Sequence, residues 1–234
     1  MRDWLSFWNA PNRIYVNERH RDAHYRDVAL AIRRFIPGPD AVAIDYGCGD
    51  ATRAEIVAAA CRQLILSDGA SAVRERLTAR FAAVPNITIK EPEEIAALSA
   101  TSADLIVMNS VAQYFDRASL EMLLATFHRL LKPDGRLVVG DVIPPHTNVA
   151  TEIAALMRLA WRNGFVLAAV GGLARSLFSD YRTLRRAVGL TYYTEQEMLG
   201  LLAQAGFEAA RHFPNIEHNQ QRMTFVAVPR VTRG

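Results

Sequence analysis

The sequence contains few cysteines and little excess charge, and both shortages exclude classes of protein. Cys48 and Cys61 are too few for a disulfide framework and do not form a CxxC pair, so we expect two reduced thiols in a cytoplasmic protein. Lys and Arg number 27 against 24 Asp and Glu, which leaves a net charge of only +3. The arginines are scattered along the chain, so the composition argues against nucleic acid as a partner.

A long apolar run is missing as well. The most apolar part of the chain is interrupted by Arg158, Arg162 and Arg175, whereas a transmembrane helix needs about 20 mostly apolar residues. The N-terminal stretch carries Asp3 and Pro11 and lacks the apolar centre of a signal peptide. We therefore expect a soluble protein without a membrane span.

Short apolar segments that alternate with helical patterns predict the fold class. Five of them lie at residues 41–44, 64–66, 87–89, 105–108 and 137–139, and a final pair lies at 207–213 and 223–228. Segments that are apolar throughout are typical of parallel strands buried on both faces of a sheet. Helices between successive strands imply right-handed crossovers, so the sequence predicts a single α/β domain.

Residues 147–190 depart from this alternation. The stretch has a helical, amphipathic pattern and is too long for an ordinary connection, so we interpret it as an inserted helical cap. The residues from Thr194 to Glu197 then form a capping box, which predicts the start of a helix that ends at Gly206.

Acidic and glycine residues follow the first two predicted strands. The turn after the first strand contains four candidate ligand-binding residues: Asp45, Gly47, Cys48 and Gly49. The glycines allow a tight turn that brings bare N–H groups against a ligand. Asp68, after the second strand, is placed to accept hydrogen bonds from both hydroxyls of a ribose. A dinucleotide fingerprint would need glycine where the chain has Thr52, so that interpretation fails.

Five segments, in order, resemble the class I S-adenosylmethionine-dependent methyltransferases: AIDYGCGD, LILSD, SADLIVMNSVAQYF, LKPDGRLVVGDV and YYTEQEMLGLLAQAGF. The resemblance implies S-adenosylmethionine as the cofactor. It also implies a Rossmann-like, doubly wound, mostly parallel seven-stranded sheet, with helices on both faces and an antiparallel last strand. One departure is Ala51, which stands where many members have a third glycine.

The resemblance also divides the single domain into four parts. Residues 1–39 would form an N-terminal helical lid over the cofactor, and residues 40–146 the cofactor-binding core. The helical cap at 147–190 and a C-terminal helix with a strand pair at 191–234 complete the domain.

The same resemblance assigns cofactor contacts. Gly47 and Gly49, with Cys48 between them, would present backbone to the methionine part of the cofactor. Asp45 would lie near its ammonium group, and Asp68 would hold the ribose. The remaining implied contacts are Glu91 and Pro92 at the adenine, Asn109 and Ser110 at the sulfonium, and Tyr25 or Tyr15 from the lid. For Glu91, a solvated charge beside two further glutamates is the alternative.

Methyl transfer from a sulfonium requires a base only if the acceptor must lose a proton. Asp141 at the end of the fifth strand, His146 shortly after it, and Tyr114 in the loop after the fourth strand are the candidates. A surface histidine is the alternative for His146. His20 and His24 have the spacing of zinc ligands, but no third ligand is evident in the sequence, so we predict no metal.

The cap should select the methyl acceptor. Its apolar side chains predict a small, largely apolar metabolite that is methylated on oxygen or nitrogen: Met157, Leu159, Trp161, Phe165, Leu167 and Leu177. A homodimer interface and plain core packing are alternatives for these side chains. A non-catalytic S-adenosylmethionine-binding regulatory or partner subunit is the alternative function. Methylation of RNA or protein is disfavoured because the loop after the fourth strand reads NSVA rather than (D/N)PPY.

Overall fold

Seven strands form one sheet in the order β3-β2-β1-β4-β5-β7-β6. The computed structural model describes residues 8–9, 15–146, 149–176 and 189–230. The strands are β1 Val42–Tyr46, β2 Gln63–Ser67, β3 Ile87–Lys90, β4 Ala103–Asn109, β5 Leu131–Val142, β6 Phe207–His212 and β7 Met223–Pro229. Strand β7 pairs antiparallel with both of its neighbours, and the other pairs are parallel. The predicted mostly parallel seven-stranded sheet with an antiparallel last strand is confirmed.

Helices cover both faces of this sheet, as predicted. They are α1 Glu18–Arg33, α2 Glu55–Ala58, α3 Ser71–Phe81, α4 Pro92–Ala96, α5 Arg117–Leu130, α6 Val149–Asn163, α7 Val166–Ser176 and α8 Glu195–Gln204. Alternate residues of the central strands enter two different cores: Ile44 and Ile106 pack with α5 and α8, whereas Ala43 and Leu105 pack with α1 and α3. Within the described part of the chain, no helix combines the length and apolar character needed to cross a bilayer.

Helix α1 begins with a capped first turn at Glu18. The side chain of Asn17 accepts a hydrogen bond of 2.8 Å from the N–H of His20, which is the N-cap interaction that starts the helix. Val28, Ala29 and Ile32 are buried against the sheet, so this helix is fixed to the core rather than loosely attached. The helix ends at Arg33.

The capping box at the start of α8 is confirmed. The hydroxyl of Thr194 accepts from the N–H of Glu197, and the carboxylate of Glu197 accepts from the N–H of Thr194 at 2.7 Å. The helix leads into Gly206, whose φ of +89° favours glycine. The strand pair β6–β7 follows directly.

Helices α6 and α7 form the described part of the cap, and they pack on α1. Phe165 is 3% exposed and its ring stacks on His20 at a centroid distance of 5.1 Å. Leu159 and Ala23 join this small apolar cluster. Trp161 and Leu167 are 80% and 90% exposed, so these two side chains do not fit the alternative of plain core packing. Leu177 lies outside the described residues.

Phe165 and Trp161 therefore make a matched pair of substitutions. We expect Phe165→Ala to lower the free energy of unfolding by about 3 kcal/mol, since it removes a buried ring between the cap and α1. Trp161→Ala should change it by about 0.5 kcal/mol or less because the ring faces solvent. Urea unfolding followed by circular dichroism measures both. Equal losses for the two variants would contradict the packing described.

Candidate active site

A cavity of about 780 Å³ lies at the carboxyl edge of the sheet. Strands β1 and β4 are neighbours, and the chain winds from β1 toward β3 on one side and from β4 toward β5 on the other. Open parallel sheets bind ligands at such a switch point, outside the carboxyl ends of the strands. Residues that follow all five parallel strands line the cavity, together with side chains from α1, α6 and the β6–β7 loop.

The turn after β1 is held by the end of β2. The N–H groups of Gly47 and Cys48 both donate to the carbonyl of Ser67, at 2.7 and 3.0 Å. The expectation of bare N–H groups in this turn is therefore wrong. Gly47 is required for a different reason: its φ is +73°, and an added Cβ would lie 2.3 Å from Cγ2 of Val111. Both Gly47 and Cys48 line the cavity.

The second half of the turn is held by Asp68 and Tyr25. One carboxylate oxygen of Asp68 accepts from the N–H of Gly49 at 3.0 Å and the other from Ala70 at 2.9 Å. The hydroxyl of Tyr25 accepts from the N–H of Asp50 at 2.9 Å. A carboxylate oxygen can accept two hydrogen bonds, and each oxygen of Asp68 accepts one from the backbone. Asp68 can therefore accept further hydrogen bonds from a ligand in the cavity that it lines.

Asp45 supplies a half-buried carboxylate to the cavity wall. Burial, and then the nearby carboxylate of Asp68, raise the pKa of Asp45 to about 7. A positively charged ligand group would favour the ionised form and relieve both effects. Two carboxylates around one cavity thus fit a ligand that carries an ammonium group and vicinal hydroxyls, which is what S-adenosylmethionine presents.

Glu91 does not line the cavity, although its neighbour does. Its carboxylate pairs with Arg74 at 3.2 Å and caps helix α4, in a half-exposed position. Pro92 and Glu93 form this part of the wall instead. Glu91 is the N-cap residue of helix α4, and its side chain points toward Arg74 of α3. The alternative reading of Glu91 as a solvent-facing charge fits the structure better than an adenine contact.

Two strained residues meet where β4 and β5 end. Ser110 has a φ of +58° and Asp141 a φ of +56°, values that cost about 1–3 kcal/mol each in a residue other than glycine. The hydroxyl of Ser110 donates to Asp141 at 2.7 Å, and Asp141 also pairs with Arg222. Burial raises the pKa of Asp141, and the Arg222 guanidinium opposes that shift. Asp141 lines the cavity, and its carboxylate already accepts hydrogen bonds from Ser110, Arg222 and Asn215.

The β6–β7 loop brings a cluster that the sequence interpretation missed. Oε2 of Glu217 lies 3.2 Å from Nδ1 of His24 and 3.6 Å from Nδ1 of His218. Oε1 of the same carboxylate accepts from Nδ2 of Asn109 at 2.9 Å. A ten-residue connection between two antiparallel strands exceeds the usual two to five residues, and its length was the available signal. His20 is not part of this cluster. Burial and the neighbouring histidines lower the pKa of His20 to about 4.

The three predicted bases are placed differently. Tyr114 and Asp141 line the cavity. His146 is exposed and lies outside the cavity wall, because Pro144 and Pro145 carry the chain away from the end of β5. The prediction of His146 as a base is therefore wrong, and the alternative of a surface histidine holds. Asn109, Ser110 and Tyr25 line the cavity as the sequence predicts.

Asp68 and Glu91 allow the cofactor assignment to be tested with matched substitutions. We expect Asp68→Asn to weaken S-adenosylhomocysteine binding roughly ten- to a hundredfold, since a charge-assisted hydrogen bond contributes about 1.5–3 kcal/mol. Glu91→Gln should leave the affinity unchanged because its carboxylate faces Arg74. Calorimetric titration measures both. An unchanged affinity in Asp68→Asn, or a large loss in Glu91→Gln, would reverse the assignment.

The raised pKa of Asp45 predicts a pH-dependent affinity. Below pH 7 the carboxyl is mostly protonated and must ionise to pair with an ammonium, so binding should tighten as the pH rises. We expect the dissociation constant of S-adenosylhomocysteine to fall about tenfold between pH 6 and pH 8, in proportion to the ionised fraction. Asp45→Asn is the control and should give a weaker, nearly flat profile. The same slope in both proteins would refute the role of Asp45.

Comparison with known proteins identifies the family. A family model described as a methyltransferase domain matches residues 18–212. The ubiquinone/menaquinone biosynthesis C-methyltransferase UbiE of Citrifermentans bemidjiense is 34% identical over 90 residues, which are 38% of this chain and 35% of UbiE. The match thus spans about a third of that relative's length.

Solved structures share the fold at low sequence identity. A putative methyltransferase in complex with the Trm112 activator of Haloferax volcanii has a TM-score of 0.64 at 15% identity, over 100% of this chain and 99% of its own. The magnesium protoporphyrin IX methyltransferase of Synechocystis PCC 6803, with bound S-adenosylhomocysteine, has a TM-score of 0.59 at 17% identity, over 97% and 93%. The family model covers most of the chain, and the sheet order and cavity match the fold. The chain therefore belongs to the methyltransferase family, with the fold of its class I members.

Proposed function

We propose that this enzyme methylates an oxygen or nitrogen of a small, largely apolar molecule. The observation that carries the proposal is the size and lining of the cavity, which extends from Asp68 and Pro92 to the cap and the β6–β7 loop. A small acceptor fits into such a cavity beside the cofactor, whereas a folded macromolecule does not. The ring of Phe115 and the side chains of Leu156 and Leu190 supply apolar parts of the cavity wall.

The chain's own residues bind the cofactor and shape the site. Asp45 faces the position proposed for the ammonium group, Asp68 that of the ribose, and Pro92 that of the adenine. Gly47, Cys48 and Gly49 form the turn at the methionine part. The polar residues proposed to border the sulfur are Asn109, Ser110 and Tyr25. S-adenosylmethionine supplies a methyl group on a positively charged sulfur. Because the protein must chiefly align the reactants and exclude water, positioning can account for about 7–11 kcal/mol of the barrier.

The relative UbiE is named for quinone biosynthesis and for methylation of carbon. That name supports an apolar ring compound as the acceptor. Our proposal of oxygen or nitrogen differs from it in the atom that is methylated, so the test has to identify the product and not only the transfer of label.

A screen with radiolabelled S-adenosylmethionine tests the proposal. We expect label transfer to members of a panel of phenols, quinols and aromatic amines, and none to RNA or to a denatured protein mixture. Asp68→Asn serves as a control because weakened cofactor binding should reduce transfer to every acceptor in the same proportion. Mass spectrometry of the product distinguishes methyl on oxygen or nitrogen from methyl on carbon. Transfer confined to charged acceptors, or to a macromolecule, would overturn the proposal.

A further inference from the structure

We propose that the imidazole of His24, oriented by Glu217, accepts the proton that a hydroxyl acceptor loses during methyl transfer. This inference rests on the proposed function and names the base for it. His24 is in the second turn of α1, and Glu217 is in the β6–β7 loop. Both side chains line the cavity, on the same side as Asn109 and His218.

The contact between the two side chains has the geometry of an oriented base. Nδ1 of His24 lies 3.2 Å from Oε2 of Glu217, so the carboxylate binds one ring nitrogen and holds its proton there. Among the described residues, none forms a hydrogen bond with the other ring nitrogen, Nε2. In the neutral ring this nitrogen carries the lone pair that can take a proton.

Glu217 is itself held in place. Its other carboxylate oxygen accepts from Nδ2 of Asn109 at 2.9 Å, and Asn109 is the last residue of β4. An added Cβ at Gly140 would lie 2.4 Å from Oδ1 of Asn109, so the amide packs closely on the neighbouring strand. The order of groups is thus amide, carboxylate, imidazole and cavity, in which each member orients the next.

The electrostatics of the pair suit a base near neutral pH. Burial lowers the pKa of His24, but the carboxylates of Glu217, Asp141 and Asp27 together outweigh it and the net pKa is raised. His24 and His218 together keep the pKa of Glu217 well below its ordinary value, so this carboxylate stays ionised. Further ionisable groups face His24 from the surrounding elements: Tyr15, His20, Tyr25, Asp27, Asp141 and His218.

The proton balance of the step is simple. As the acceptor oxygen forms its bond to the methyl carbon, the electrons of the broken carbon–sulfur bond remain on sulfur. The hydroxyl proton moves to Nε2 of His24, and the resulting imidazolium is paired with Glu217. The proton then leaves to solvent when the product departs.

A metal ion is the competing occupant of this cluster. Ligand atoms of His24, Glu217 and His218 lie within 4.8 Å of one another, and a carboxylate with two histidines is a recognised metal-binding set. The base is favoured because Asn109 already occupies the second oxygen of Glu217. His218 is also farther from the carboxylate and more exposed than His24.

Heteronuclear NMR of the histidine ring nitrogens tests the pair in the protein saturated with S-adenosylhomocysteine. We expect His24 to be protonated at Nδ1 when neutral, with a pKa above 6.5 that falls by about one unit or more in Glu217→Gln. A neutral His24 ring protonated at Nε2, or a His24 pKa that is the same in Glu217→Gln, would overturn the proposal. So would stoichiometric Zn²⁺ binding that is lost in both His24→Gln and His218→Gln. Failure to bind S-adenosylhomocysteine would instead count against the proposed function.

Kinetics with a series of phenols provides the second arm. With unsubstituted phenol we expect His24→Gln to lower kcat about a hundredfold, while the affinity for S-adenosylhomocysteine stays unchanged. With para-nitrophenol, which is largely ionised in the assay, the loss should nearly vanish because no proton has to be removed. His146→Gln is the matched control and should behave as the unmodified protein. Equal losses for all phenols would show that His24 has a structural role and is not the base. If no phenol is methylated, the NMR measurement alone tests the proposal.

Discussion

The junction between the turn after β1 and the end of β2 holds the site together. The carbonyl of Ser67 accepts two hydrogen bonds from the turn, and the carboxylate of Asp68 accepts a third. The hydroxyl of Tyr25 accepts a fourth hydrogen bond, from the N–H of Asp50. Since buried N–H groups need partners, these bonds set the shape of the turn from within the protein. A ligand therefore contacts a preformed wall of carboxylates and glycine backbone. The N–H groups of the turn already donate to partners within the protein.

Helix α1 links this turn to the opposite side of the cavity. Tyr25 binds the backbone of the turn, while the preceding residue, His24, faces Glu217. One turn earlier, His20 is neutral and stacks on Phe165 of the cap. Because all three contacts come from one continuous helix, the cofactor turn, the polar cluster and the cap are held in a fixed relation. A shift of α1 would change all of them together.

Carboxylates around the cavity are compensated in different ways. Asp141 is paired with Arg222, and Glu217 with His24 and His218, so their charges are matched by the protein. Asp45 instead lies near Asp68, and its pKa rises to about 7. Cations of the protein thus match the charges of Asp141 and Glu217, whereas a second carboxylate lies near Asp45. A positively charged group of a ligand would relieve that repulsion.

Local patterns in the sequence determined the strands, their parallel arrangement and the ligand edge. Continuous apolar segments, the acid–glycine turn and the capping box at Thr194 each depend on residues close together in the chain. Their prediction succeeded because backbone conformation and strand burial follow from neighbouring residues. Only the tertiary structure decided which side chains face the cavity. His146 and Glu91 are near strand ends in sequence, yet a proline pair and a helix cap turn them away. His24 and Glu217 are far apart in sequence, and no local rule relates a residue of α1 to a hairpin loop. They meet because the sheet order brings β7 beside β5 while α1 packs across the same edge.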